Sequence, residues 1–346
     1  MTNQIAVLGF PRIGEKRELK VALEGYWKGT NSLDELQAVG AQLRLRHWNY
    51  QKTSGIETVA INDFSFYDTM LDLMIILGAQ PERFLDIESG TQRYFAMARG
   101  DDTHTAMEMT KWFNTNYHYI VPELHGGFRF GAINPDKILE EYREAQAHGF
   151  KGAIHLIGPI TFLSLSKCSE DIRSALFDPL LDQYVEVLKS LQSLDAEIIF
   201  HEPALCTDIT ANDLSLLKIA YDRLGNIGLT LSVATYFEHS CEATAVLVHT
   251  PITSLYLDFV YGSKNIESIN IIAQSDKRLG VGIIDGRNIW INELEKSLQL
   301  LESIASVIPK ERLILSSSCS FLHVPMVLDY EEALPKEIKD TMAYAN

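Results

Sequence analysis

Eight short apolar runs recur along the chain, and patterns typical of helices fill most of the intervals between them. Each run has the length and apolar character of a buried strand. In order they are IAVLGF (5–10), ETVAIND (57–63), GAIHLIGP (152–159), AEIIFHEP (196–203), LTLSVATY (229–236), SLYLDFV (254–260), LGVGIID (279–285) and RLILSSS (312–318). Short strands that alternate with helices predict parallel strands joined by crossover helices. Because a (β/α)8 barrel needs eight strands, the pattern predicts an α/β fold of the TIM-barrel type.

Capping and stop signals predict three helices in the first part of the chain. Residues 17–28 carry apolar side chains on one helical face and charged side chains on the other. Ser32 is followed three residues later by Glu35, a capping-box pattern that predicts the start of a second helix. Residues 66–78, FYDTMLDLMIILG, predict an apolar helix that ends at a glycine.

One strand-like segment, TNYHYIVP (115–122), exceeds the eight that a barrel needs. We place it in an insertion at about residues 80–150, between the second and third barrel strands. No linker or low-complexity segment divides the chain, so we expect a single domain over residues 1–346. The main alternative is an open doubly wound sheet, but no glycine-rich dinucleotide fingerprint follows any strand. The segment PKEIKDTMAYAN (335–346) predicts a last helix.

The composition excludes several classes of function. The 346 residues have a formal net charge of -16, which argues against general binding to nucleic acid, because a phosphate backbone attracts positive surfaces. The four cysteines are widely spaced without a C-x-x-C pair, which is typical of reduced thiols and predicts a cytoplasmic protein. No apolar run reaches 18 residues, so we expect no membrane span, and the N-terminus lacks the pattern of a secretory signal.

A cluster of positive charge stands out in this acidic chain. The segment PRIGEKRELK (11–20) holds four cations within nine positions: Arg12, Lys16, Arg17 and Lys20. Residues three apart on a helix share a face, so Arg17 and Lys20 can point at one anionic ligand. The alternative is a solvated helix face on which Arg17 or Lys20 pairs with Glu24. Residue types alone do not separate these two interpretations.

Six motifs together resemble the N-terminal half of the cobalamin-independent methionine synthases. They are LGFPRIGEKRELKVALEGYW (8–27), EMTKWFNTNYHYIVPEL (108–124), LIGPITFL (156–163), EPAL (202–205), IDGRNIW (284–290) and SSCSFLH (317–323). The resemblance implies one of two similar barrels. The full enzyme of this family transfers a methyl group from 5-methyltetrahydrofolate to homocysteine and makes methionine. Its C-terminal barrel holds zinc, homocysteine and most of the folate, while the N-terminal barrel helps to hold the polyglutamate tail.

The resemblance also assigns the tail contacts within this chain. The matching positions are Arg17, Glu18, Leu19, Lys20 and Lys111. Arg12 and Lys16 lie beside them, and Arg and Lys are the natural partners of a string of carboxylates. No catalytic residue and no cofactor are implied for this half. The implied partners are the polyglutamate form of 5-methyltetrahydrofolate and a C-terminal catalytic barrel, in the same chain or as a separate one.

Three residues are of the types that bind zinc and partly match the spacing of a zinc site. His239 and Cys241 form a His-x-Cys pair, and Cys319 follows the last predicted strand. Zinc needs three or four ligands that converge at short range, and the pair lies several residues beyond its strand, so buried cysteines and a surface histidine are the favoured interpretation. In the EPAL region, His201 replaces the aspartate that members of the family commonly carry.

The DGRN motif and the C-terminal segment give two further expectations. Asp285 and Arg287 of the DGRN motif are expected to form an internal salt bridge that closes a barrel loop. In the family, the helix expected at 335–346 leads towards the second barrel. The alternative to a tail-binding half is a short relative that acts on its own, as a binding module or as a metal-dependent enzyme with a different substrate.

Overall fold

The computed structural model describes residues 4–345 and contains ten strands. In chain order they are β1 (Gln4–Ala6), β2 (Thr58–Ile61), β3 (Met109–Lys111), β4 (His118–Ile120), β5 (Lys151–Ile157), β6 (Glu197–His201), β7 (Thr230–Thr235), β8 (Ser254–Asp258), β9 (Arg278–Ile284) and β10 (Leu313–Ser317). Eight of them form one parallel sheet in the order β1-β10-β9-β8-β7-β6-β5-β2. The sheet curves into a nearly closed barrel, which confirms the predicted α/β barrel fold.

Two hydrogen bonds link the regions that follow β1 and β2, the two ends of this sheet order. The backbone N–H of Phe10 donates to Asp63 Oδ2 over 2.8 Å. The guanidinium of Arg12 donates to the carbonyl oxygen of Ser65 over 2.9 Å. Side chains therefore connect the barrel at its carboxyl-terminal face, where the sites of parallel barrels form.

Helices connect the parallel strands. They are α1 (Glu18–Trp27), α2 (Leu33–Thr53), α3 (Thr69–Ile76), α4 (Gly90–Arg99), α5 (Asp136–Ala147), α6 (Pro159–Ser164), α7 (Glu170–Leu191), α8 (Ala211–Gly225), α9 (Cys241–Leu247), α10 (Ile269–Gln274), α11 (Leu294–Ala305) and α12 (Lys336–Lys339). The capping box predicted at Ser32 and Glu35 is confirmed, with both of its hydrogen bonds present. The first helix begins at Glu18 rather than at Arg17, because Arg17 has a left-handed backbone. Within residues 4–345, no helix is both long and apolar enough to span a bilayer.

The predicted extra strand lies outside the barrel. β4 pairs with β3 in an antiparallel hairpin, between β2 and β5 in the chain. The same interval contains α3, α4 and α5. The bounds of the insertion at about 80–150, and the assignment of residues 1–346 to one domain, stay predictions.

The prediction of a helix at 335–346 is wrong for most of that segment. Only Lys336–Lys339 is helical, and Met342 then pairs antiparallel with Trp290. The backbone N–H of Ile291 donates to Thr341, and that of Ala343 donates to Ile289. Tertiary hydrogen bonds therefore override a weak local helical preference. Asn346 lies outside the described residues.

A small apolar cluster anchors α1 to the outside of the barrel. Leu19, Ala22 and Leu23 form the buried face of α1 and pack with residues of α2 and α4. Lys20 lies on the exposed face of the same helix. This separation of apolar and charged faces positions the cations of α1 towards solvent.

Candidate anion-binding site at the start of helix α1

The cationic segment 11–20 folds into a tight turn before α1. Gly14 has a φ of 82°, and a side chain there would overlap the Glu18 carboxylate. Arg17, with a φ of 60°, is also left-handed, although it is not glycine. Non-glycine residues rarely adopt this conformation, and it costs roughly 1–2 kcal/mol. The turn leaves the side chains of Lys16, Arg17 and Lys20 exposed beside the start of α1.

The two acids of this segment are bound by α2. Arg46 Nη2 donates to Glu18 Oε1 over 2.7 Å, and the backbone N–H of Lys16 donates to Glu18 Oε2 over 2.8 Å. Burial of the Glu18 carboxyl acts to raise its pKa, but these hydrogen bonds outweigh burial, and the pKa lies below its usual value. The Tyr50 hydroxyl binds the Glu15 carboxylate, and this hydrogen bond is the main reason why the pKa of Tyr50 rises to about 12.

The cations of the segment have few acidic partners. Lys20 Nζ lies 3.8 Å from Glu24, so the pairing expected from the alternative interpretation exists, between two exposed side chains. Such exposed pairs contribute little. The Lys16 ammonium lies 5.2 Å from the ring centre of Tyr330, a cation–π distance. Neither Lys16 nor Arg17 has a carboxylate partner among residues 4–345.

Lys111, the remaining predicted contact, is exposed at the end of β3 in the hairpin. The hairpin packs over the barrel mouth, where the Tyr117 hydroxyl accepts a hydrogen bond from Thr69 N–H over 3.1 Å. Burial raises the pKa of Tyr117, while the positive charge of Arg12 acts against this rise. In the described part of the chain, no hydrogen bond or ion pair joins Lys111 to segment 11–20. The predicted residues therefore lie on two separate elements.

The barrel mouth itself is filled by polar side chains, of which the sequence motifs drew attention only to His201, as a departure from the aspartate of the family. His155 Nδ1 lies 2.8 Å from His201 Nε2, and His201 Nδ1 lies 3.1 Å from the Tyr236 hydroxyl. Burial lowers the pKa of His201 to about 4 and that of His155 well below its usual value, so both imidazoles are neutral. Side chains alternate between the two faces of a strand, so the positions of His155 in β5 and His201 in β6 could have indicated that both point into the barrel.

The cavity beside these histidines measures about 60 Å³. Pockets for drug-sized ligands measure about 300–1,000 Å³, so this cavity accommodates water and not a folate ring system. A wider cavity of about 700 Å³ lies between α2, α3, α4 and α5. Its lining holds more acids than cations, and two of the cations are paired, since Lys137 contacts Glu141 and Arg44 contacts Glu144. Neither cavity competes with segment 11–20 for an anionic ligand.

The three candidate metal ligands make separate contacts. Cys319 is fully buried, with Sγ 3.6 Å from the Ser320 carbonyl oxygen, whereas Cys241 Sγ contacts the Lys264 carbonyl oxygen and His239 Nδ1 contacts Glu238. Burial raises the pKa of the Cys319 thiol well above its usual value, which opposes the thiolate that zinc requires. Within residues 4–345, no group of three or more His, Cys, Asp and Glu side chains could hold a metal ion. The residues present therefore do not fit the zinc of the family.

The prediction of a salt bridge between Asp285 and Arg287 is wrong. Asp285 Oδ1 accepts a hydrogen bond from the backbone N–H of Arg287 over 2.8 Å, which makes a local turn. The Arg287 guanidinium lies instead 4.7 Å from the ring centre of Phe237 and 4.9 Å from that of Tyr261. Two aromatic faces therefore hold the cation more directly than the neighbouring carboxylate does.

The structure is thus a parallel α/β barrel with a filled mouth and an exposed cationic turn at its edge. The family model described as "Cobalamin-independent synthase, N-terminal domain" matches residues 4–309. The chain belongs to the family of cobalamin-independent methionine synthases. The resemblance of its sequence motifs is thereby confirmed.

Curated relatives carry the name 5-methyltetrahydropteroyltriglutamate–homocysteine methyltransferase. The protein from Desulforamulus reducens is 48% identical over 345 residues, which cover 98% of this chain and 45% of the relative. A chloroplastic protein from Arabidopsis thaliana is 41% identical, over 98% of this chain and 43% of the relative. The chain thus spans less than half the length of these relatives.

A solved structure has the same fold. The B12-independent methionine synthase from Shewanella sp. W3-18-1 superposes with a TM-score of 0.63 and 14% identity, over 87% of this chain and 85% of that chain. This similarity supports the barrel assignment, independently of the sequence motifs.

Proposed function

We propose that this chain is the tail-binding half of a methyltransferase that makes methionine. In this proposal, segment 11–20 and Lys111 bind the polyglutamate tail of 5-methyltetrahydropteroyltriglutamate. The observation that carries the proposal is the exposed group of Lys16, Arg17 and Lys20 at the start of α1. The names of the relatives include 5-methyltetrahydropteroyltriglutamate, whose glutamate carboxylates are anions of the kind that these cations would bind.

The expected binding energy is modest and depends on salt. Each exposed ion pair contributes about 0.2–1 kcal/mol. Three pairs contribute about 1–3 kcal/mol, which corresponds to about 5- to 150-fold in affinity. The amino-terminal end of α1 adds to this attraction, because no side chain caps it and its partial positive charge favours anions. The tail would therefore tether the substrate rather than bind it tightly.

The proposal assigns the methyl transfer to the half of the enzyme that this chain does not match. The small mouth cavity and the scattered metal-ligand candidates support this division. Zinc, when bound in that half, would hold homocysteine as a thiolate. The alternative of a short metal-dependent enzyme has no support from the arrangement of ligand-type side chains in residues 4–345. The cytoplasmic location expected from the cysteine spacing stays a prediction.

The proposed partner is the C-terminal barrel of the family, in the same chain or as a separate one. An exposed apolar patch of four side chains supports this proposal: Trp290, Ile291, Leu294 and Leu298, which are 55%, 58%, 73% and 56% exposed. The four residues lie within nine positions of the sequence, and groups of exposed apolar side chains mark interaction sites. The patch borders the segment 341–343, which pairs with residues 289–291.

The test is a calorimetric titration with 5-methyltetrahydropteroyl compounds that carry one or three glutamates, at low and at high salt. We expect tighter binding of the triglutamate form, weakened by salt and by Arg17→Ala or Lys111→Ala. Lys28→Ala is the matched control, because it removes an exposed cation from the far end of the same helix. Equal affinity for both compounds, or an equal loss in the control, would refute the tail site.

A further inference from the structure

We infer that Arg46 and Tyr50 of α2 are positioning residues for the anion site, because they bind the two carboxylates that would otherwise repel the ligand. This inference rests on the proposed function and names residues that the family resemblance did not assign. Arg46 and Tyr50 are four residues apart, so they lie on one face of α2 and reach the same turn. Their partners are Glu18 and Glu15, the only acids in segment 11–20.

The contacts of Glu18 explain why an acid occupies an anion site at all. One carboxylate oxygen accepts the backbone N–H of Lys16, and the carboxylate lies against Gly14, whose lack of a side chain leaves room for it. Glu18 thus shapes the turn that presents Lys16 and Arg17. Although the family resemblance matches Glu18 to a tail contact, its negative charge would oppose a polyglutamate tail at the same place. Arg46 supplies the compensating charge through the second oxygen, at 2.7 Å.

Tyr50 acts on Glu15 by holding its carboxylate in place and not by supplying a charge. Its hydroxyl donates to the Glu15 carboxylate, which fixes that side chain on the α2 side of the turn. Lys16, which follows Glu15 in the chain, makes no ion pair in the described structure and lies over the ring of Tyr330. Both acids of the segment are therefore held by α2, while its exposed cations remain available for a ligand.

The contact pattern of Arg46 favours this role over a purely stabilising one. Arg46 is about one-third exposed, and its Nε atom is buried without a hydrogen-bond partner in the described structure. Its guanidinium makes one charged contact, to Glu18, and no other carboxylate lies within ion-pair distance among residues 4–345.

The test compares four proteins in titrations with a γ-linked triglutamate peptide and with the triglutamate folate: the unaltered chain, Arg46→Met, Arg46→Met with Glu18→Gln, and Arg46→Lys. We expect Arg46→Met to weaken binding about three- to tenfold at low salt, because an uncompensated carboxylate then lies beside the ligand. The added Glu18→Gln change should restore most of this loss, since Gln can still accept the Lys16 N–H. Arg46→Lys, which keeps the charge, should retain most of the affinity.

If Glu18→Gln restores the triglutamate affinity of Arg46→Met, the loss came from repulsion between Glu18 and the ligand. If Arg46→Met had instead disrupted the turn at 11–17, a second substitution in that turn would not restore the affinity. Tyr50→Phe provides an independent arm, with a smaller loss expected because it releases Glu15 without removing a charge. If Arg46→Met binds as tightly as the unaltered chain, or if the double variant stays as weak as Arg46→Met, the role of Arg46 is refuted. Absence of triglutamate binding in the unaltered chain would refute the proposed function itself.

Discussion

Replacing Arg17 by glycine removes a cation from the proposed tail site and, at the same time, relieves the left-handed backbone before α1. Arg17 has a φ of 60° and an exposed side chain without an acidic partner in the described structure. Ligand binding and stability are therefore expected to change in opposite directions. A residue kept only for the fold would not behave in this way.

The magnitude follows from two opposing contributions. A left-handed non-glycine residue costs roughly 1–2 kcal/mol, and the greater freedom of glycine in the unfolded chain costs about 0.5–1 kcal/mol. We therefore expect Arg17→Gly to be more stable than Arg17→Ala by about 1 kcal/mol. With an unfolding entropy of about 2.1 cal/mol/K per residue, this difference raises the midpoint of thermal unfolding by roughly 1–2 °C.

Both variants lose the same charge, so both should lose the same affinity. The loss of one exposed pair weakens triglutamate binding by about 1.5- to 5-fold. Calorimetric titration measures the affinity, and differential scanning calorimetry measures the unfolding midpoint. An Arg17→Gly midpoint at or below that of Arg17→Ala would refute the backbone argument. Unchanged affinity in both variants would remove Arg17 from the tail site.

Two other predictions concern the turn and a surface histidine. Gly14→Ala should lower the free energy of unfolding by at least about 1 kcal/mol, because the φ of 82° favours glycine and the new methyl group meets the Glu18 carboxylate; an unchanged midpoint would contradict this. His104 lies 2.9 Å from Asp101 and 3.0 Å from Asp86, and mainly the Asp101 hydrogen bond raises its pKa. Since the folded pKa exceeds the unfolded one, this contribution is complete below the unfolded pKa and disappears as pH rises through the folded pKa. The stability difference between the unaltered chain and His104→Asn in thermal unfolding should therefore shrink as the pH rises above the ordinary histidine pKa of about 6.5, and a constant difference would contradict this assignment.

The barrel could be predicted from sequence because its strands are short and apolar and its helices carry strong local signals. Ser32 with Glu35 is such a signal, since both partners of the capping box lie within four residues. The strand runs likewise owe their character to burial on both faces of a parallel sheet. The failure at 335–346 has the opposite cause, because Met342 pairs with Trp290, more than fifty residues earlier in the chain.

The candidate site was predictable in its charges and not in its partners. The four cations of segment 11–20 are adjacent in sequence, and a charge count finds them. The contacts of Glu18 with Arg46 and of Glu15 with Tyr50 span 28 and 35 residues and depend on how α2 packs on the barrel. The prediction that Arg287 pairs with Asp285 failed for a related reason. Phe237 follows β7 whereas Arg287 follows β9, so local sequence spacing does not show that the two side chains meet.

The exposed apolar patch also gives this chain an optical property. Of the four tryptophans, Trp48 and Trp112 are buried and Trp27 is partly covered, whereas Trp290 belongs to the patch and is 55% exposed. An indole in water emits at longer wavelength than one in an apolar environment. Whatever covers the patch therefore shifts the emission of this one side chain to shorter wavelength, while the three other indoles keep their surroundings. The surface on which a second barrel would dock thus contains its own fluorescent reporter, and no label is needed to follow the docking.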